Sequence, residues 1–174
     1  MMKKFWAVLA ALLVLTASFG AAAEATKLSE SASAFDAQIT FPEGAQVDAM
    51  TVDDTSLTSA AVEGKPLLTL TIAPSEEYDD LSMDALSGDE LQQMFTALSG
   101  DLDAPVFTTG VAAGGYKYLY IDEKGEYDVG ELVTLYDGYF LTLFFAYEDY
   151  RTLTDDDLAY ALSVFDTLTL TSVK

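Results

Sequence analysis

The stretch from Leu132 to Phe145 constrains the fold more than any other part of the chain. It reads "LVTLYDGYFLTLFF", two apolar runs around Asp137-Gly138. An Asp-Gly pair between such runs is a two-residue hairpin signal, because both central residues of that turn take positive φ. The turn fixes the register: Tyr136 faces Tyr139, Leu135 faces Phe140, Val133 faces Thr142 and Leu132 faces Leu143. Side chains alternate across a strand, so one face collects Leu132, Tyr136, Tyr139, Leu141, Leu143 and Phe145. The other collects Val133, Leu135, Phe140 and Phe144. A sheet apolar on both faces must be covered on both, which calls for a layered domain.

Two amphipathic helices are available as covers. In "SGDELQQMFTALSG", Ser87 and Glu90 have capping-box spacing, Gly100 stands where a helix ends, and Leu91, Met94, Phe95 and Leu98 share one face. In "TDDDLAYALSVF", Thr154 is an N-cap, Asp155 to Asp157 suit the positive end of the helix dipole, and Leu158, Ala161, Leu162 and Phe165 repeat the spacing. Strands fill the rest. Phe35, Ala37, Ile39 and Phe41 alternate with polar residues until Pro42 and Gly44 turn the chain. "PLLTLTIAP" is a strand bounded by Pro66 and Pro74, and residues 104–150 read as an antiparallel meander of about four strands. Residues 47–64 show only a weak strand and a loop. The fold class expected is α+β, a mostly antiparallel sheet of about six strands sandwiched by two or more helices.

The opening "ITFPEG", the middle amphipathic helix, "VAAGGYKYLYID", the Tyr-Phe-x-x-x-x-Phe at Tyr139 to Phe145 and the closing "FDTLTL" follow one another in an order that resembles the PsbP/Mog1-like superfamily of small α-β-α sandwiches. The resemblance spans about Phe35 to Leu170. It implies binding and accessory roles rather than catalysis, and it assigns no ligand residue in this chain.

The first residues, "MMKKFWAVLAALLVLTASFGAAAE", place Lys3 and Lys4 before an apolar run and a small-residue site at Ala21 to Ala23. This is the layout of a secretory signal, with cleavage expected after Ala23 and the protein released outside the cytoplasm. The run is short for a membrane span, so no stable anchor is expected after cleavage. Residues 24–34 read as a flexible leader and residues 35–174 as one domain. Cleavage leaves 8 − 2 = 6 basic and 29 acidic residues, a net charge of −23. That field repels nucleic acid and favours cations or basic partners. Cysteine and histidine are both absent. Disulfides, zinc sites and the usual general base go with them.

Four candidate sites remain. The oxygen-rich turn "IDEKGEYDVGE" offers Asp122, Glu126 and Asp128 as calcium ligands, although its spacing is not that of an EF-hand and a solvated turn needs the same residues. Tyr116, Tyr118 and Tyr120 share one side of a strand, either as a stacking surface for a partner or as packing beneath a helix. "GVAAGGYK" lacks the Gly-Lys-Ser/Thr ending of a phosphate loop and reads as a turn before a strand. Adjacent acids such as Asp53-Asp54, Glu76-Glu77 and Asp79-Asp80 do not span a cleft as a hydrolase pair must. No cofactor is expected apart from calcium. The chain therefore reads as a secreted, non-catalytic binding or accessory domain for a protein or small ligand. The alternatives are a carboxylate hydrolase of cell-wall or dietary polymers, and an acidic inhibitor or decoy of a basic secreted protein.

Overall fold

A computed structural model describes residues 26–28, 35–99, 106–123, 128–149 and 151–172. The residues expected to form the signal, 1–23, lie outside these, as does Gly100. Strands β1 (Thr26–Leu28), β2 (Phe35–Ile39), β3 (Gln46–Val52), β4 (Thr55–Ala61) and β5 (Leu67–Pro74) come first. A 3-10 turn (Met83–Ala85) and helix α1 (Gly88–Ser99) follow, then β6 (Val106–Val111), β7 (Lys117–Glu123), β8 (Val129–Tyr136) and β9 (Tyr139–Ala146). Helix α2 (Asp155–Phe165) and β10 (Thr169–Ser172) close the described chain. Thr26–Leu28 falls within the stretch expected to be a leader, and it pairs with β2.

The large sheet has seven strands in the order β3-β4-β5-β9-β8-β7-β6, every neighbouring pair antiparallel. It consists of two meanders, β3 to β5 and β6 to β9, joined where β5 lies against β9. The β8–β9 hairpin has the register its sequence dictates: Tyr136 opposes Tyr139 and Leu132 opposes Leu143. Asp137 and Gly138 both hold positive φ, 48° and 81°, as the primed turn requires. The loop after β5 clasps this turn. Ser75 N–H donates to the Gly138 carbonyl and Gly138 N–H to the Leu81 carbonyl, each at 2.8 Å, while Asp137 N–H donates to Ser82 Oγ at 3.0 Å.

Both faces are covered, but not as the sequence suggested. On one face lie the 3-10 turn and α1; Met83, Met94 and Phe95 from these elements and Leu86 between them pack on Leu119, Ile121, Val133 and Leu135. The capping box of α1 is present, with the Glu90 carboxylate accepting from Ser87 N–H at 2.8 Å and from Ser87 Oγ at 2.7 Å. On the other face, α2 and β2 share the cover. Phe35, Ala37 and Ile39 of β2 join Ala161, Val164 and Phe165 of α2 against Leu68, Leu70, Leu132, Leu143 and Phe145. Each large side chain buried this way contributes about 1.5–3 kcal/mol.

The α-β-α sandwich with a sheet of about six strands is thus overturned. The protein is β-rich: a three-stranded sheet, β1-β2-β10, stands beside the seven-stranded one, and the only α-helices among the described residues are of 12 and 11 residues. The opening strand leaves the central sheet because Phe35, Ala37 and Ile39 bury one apolar face over it, while the backbone of β2 pairs with Thr169–Ser172. Phe-Pro-Glu-Gly is the corner between sheets. Ala45 N–H donates to the Pro42 carbonyl at 3.1 Å, Gly44 takes φ 80°, and the chain enters β3 at the rim of the large sheet.

Candidate functional site

Tyr116, Tyr118 and Tyr120 lie on the face of the large sheet that α2 covers, and all three are half-buried. The Tyr116 hydroxyl donates to the Leu168 carbonyl. Tyr118 meets Phe165 edge to face with ring centroids 5.7 Å apart, and Tyr120 stacks on Phe145 at 6.2 Å. Tyr118 fits because its cross-strand partner is Gly110, where a Cβ would strike the ring. Burial pushes the phenols of Tyr116 and Tyr118 up, and lifts Tyr120 to about 12 with help from Asp122, Asp155 and Asp128. The stripe packs against the core with one edge in solvent.

Two of the three calcium candidates, Asp122 and Asp128, fall among the described residues, and both act on the Tyr120 phenol. Asp122 is in β7, opposite Val106 on one side and Gly130 on the other. Asp128 precedes β8 and accepts from Leu153 N–H at 3.3 Å. Glu126 lies outside the described residues. Among the described residues no group of three or more acids, histidines or cysteines is placed to hold a metal.

The acids that a hydrolase would use are dispersed. Asp53 and Asp54 form the β3–β4 turn, while Glu76, Glu77, Asp79 and Asp80 are exposed on the clasp loop. One carboxylate among the described residues is buried, Asp157. It accepts from Tyr147 Oη at 2.6 Å and from Thr154 N–H and Oγ1 at 2.9 and 2.8 Å, closing the capping box of α2. Burial pushes this carboxyl up, but the bonds from Tyr147 and Thr154 and the Lys65 charge prevail and hold it below its ordinary value. A general acid needs the opposite shift. Arg151 sits 3.6 Å above the Tyr147 ring, and Lys65 is 5.4 Å from that of Tyr160. Arg151 is also 3.5 Å from the Asp149 carboxylate, so both cations meet carboxylates as well as aromatic faces.

"GVAAGGYK" forms the β6–β7 turn, with Gly115 N–H donating to the Ala112 carbonyl at 2.8 Å and Gly115 at φ 91°.

The feature that sequence reasoning missed is β3. Residues 46–61 form a full hairpin, β3 and β4, around Asp53-Asp54. All seven residues of β3 are exposed, yet it ends the large sheet among the described residues. Val47, Met50 and Val52 stand out at 37%, 39% and 36% exposure, with Asp48 between them. A long exposed edge with apolar side chains is a template for another strand. The signal for it was the run of β-formers Val47, Thr51 and Val52 before an Asp-Asp turn.

No family model matches the chain, nor does any curated protein or any solved structure.

Proposed function

We propose that this is a non-catalytic binding domain acting outside the cytoplasm, and that the β3 edge is its binding surface. The observation that carries the reading is the exposure of all seven β3 residues at the rim of the large sheet, with three apolar side chains in water. The other candidates are engaged in structure: the tyrosines pack under α2, and Asp157 caps it. The net charge of −21 favours a basic partner.

The test is capture of partners from the surrounding medium on immobilised protein, comparing wild type with the Val47→Lys/Met50→Lys double variant after circular dichroism shows that both are folded. A partner retained by wild type and lost by the variant is the expected result. Turnover of a glycan or peptide library that disappears in Asp157→Asn would overturn the reading in favour of a hydrolase.

A further inference from the structure

The turn at Asp53 and Asp54 decides which backbone groups of β3 point outward. Val52 and Thr55 flank that two-residue turn as a pair, so they exchange hydrogen bonds with each other. Antiparallel ladders alternate between bonded and non-bonded pairs, which makes Met50–Leu57 and Asp48–Ser59 bonded pairs as well. The amides and carbonyls of Val47 and Ala49 then face the open edge. The hydrogen bonding agrees: Ala49 N–H donates to its neighbour Asp48 Oδ1 at 3.0 Å and not to β4. The carboxylate occupies the place that a neighbouring strand's carbonyl would take.

This arrangement selects by charge. An uncharged strand would have to displace Asp48 from the Ala49 amide and leave the released carboxylate unpaired. A second copy, added antiparallel, would bring two Asp48 carboxylates close together on chains that each carry −21. A strand with Lys or Arg beside Asp48 pairs with the carboxylate as it frees the amide. Its alternate side chains then reach Met50 and Val52, on the same face as Asp48, and Val47 on the opposite face.

Resting on the binding-domain reading, we infer that β3 receives an extended cationic segment of a partner protein as an eighth strand of the large sheet. Main-chain hydrogen bonds supply affinity, while Asp48 and the apolar side chains supply selection. Asp48 also keeps the edge from pairing with its own kind, a task that other edges leave to lysine or proline.

The probe is a blocked peptide alternating Lys and Val, compared with its Glu–Val counterpart and with a Lys–Val version carrying proline at alternate positions, unable to donate. Binding is read by fluorescence anisotropy and by amide hydrogen exchange. The Lys–Val peptide should bind saturably, protect the Val47 and Ala49 amides, and weaken as salt rises from about 0.1 M to about 1 M. The proline peptide and the Glu–Val peptide should not bind. Asp48→Asn should weaken the Lys–Val peptide by about fivefold, the scale of a cross-strand charge pair. Ala49→Pro should abolish binding, and Asp48→Asn keeps the test valid if that variant fails to fold.

Equal binding of the proline peptide, no protection in β3, or an unchanged affinity in folded Asp48→Asn would overturn the inference. So would a wild-type dimer in sedimentation that Ala49→Pro dissolves, since that places a second copy on the edge. If the peptide fails while capture still depends on Val47 and Met50, this inference falls and the binding-domain reading stands. If capture fails too, both fall.

Discussion

Replacing Gly130 with alanine should destabilise the protein by about 1–3 kcal/mol, although alanine is ordinarily the better residue in a strand. Gly130 stands directly opposite Phe145 in the β8–β9 pair. A Cβ there would meet three atoms of the Phe145 ring, the farthest of them at 2.6 Å. The ring is fully buried and stacked on Tyr120, so it has no free space to swing into. Two effects oppose each other. Alanine recovers about 0.5–1 kcal/mol of backbone entropy in the unfolded chain. Forcing a methyl group into a filled core costs about 1–3 kcal/mol, and displacing the ring forfeits some of the roughly 0.5–1.5 kcal/mol of its stacking. The clash prevails. Urea unfolding followed by circular dichroism should show a midpoint lowered by roughly 1 M at unchanged slope. Adding Phe145→Leu should reveal coupling above about 0.5 kcal/mol between the two positions. Gly110→Ala, on β6 at the rim of the sheet and clashing with the half-buried Tyr118 of β7, should cost less. A Gly130→Ala midpoint at or above that of wild type would refute the argument that Phe145 requires the missing Cβ.

Phe165→Ala should cost about 3–5 kcal/mol, since this ring is fully buried where α2 meets β2 and the large sheet; calorimetry reads it as a lowered Tm. The depressed carboxyl of Asp157 contributes stability that is fully present above its ordinary pKa of 3.8 and is lost as pH falls through the lower folded value. Asp157→Asn should therefore flatten the acid limb of a stability–pH curve and leave its shape at neutral pH unchanged. Spectrophotometric titration should find a phenol ionising at about 12 that is missing in Tyr120→Phe; a tyrosine spectrum complete well below that pH would contradict the burial of Tyr120.

What the sequence disclosed, and what it hid, follows from whether an element's partners are local. The Asp137-Gly138 turn sets its own register, and the Ser87–Glu90 box and the Thr154 cap depend on residues within one helical turn, so these were legible, although the closure of the second box by Asp157 was not. The β3–β4 hairpin was not. With every residue of β3 exposed there is no buried face to imprint alternation, and Asp53-Asp54 lacks the glycine that advertises a turn, even though Asp53 takes φ 54°. The second cover was hidden for another reason: the alternation of Phe35 to Ile39 shows a half-buried strand but not which sheet it joins, and its partner β10 lies at the far end of the chain. Along α2, periodicity ranked Leu162 with Phe165, but Leu162 is half-buried, while Val164, outside that pattern, is buried. The tyrosine stripe was visible as a stripe. That its neighbours are Phe165 and Leu168 depends on how α2 crosses the sheet. An edge is a property of strand order, which no local window contains.

The seam between β5 and β9 bears on how quickly such a chain reaches its native state. Within each meander, neighbouring strands are close in sequence, but Pro74 and Tyr139, paired at one end of the seam, are 139 − 74 = 65 positions apart. Closing that loop costs entropy before any of the eight seam pairs forms, and the cost grows as the logarithm of loop length. The seam is therefore expected to form at the top of the barrier, after the hairpins on either side. Ile72→Val, within the seam, should slow refolding while leaving the unfolding rate nearly unchanged; Phe165→Ala should act mainly on unfolding if α2 docks after the seam has closed. The clasp of Ser75 and Leu81 on Gly138 sits where the loop is tied shut, and so acts as a latch on the slowest step of assembly.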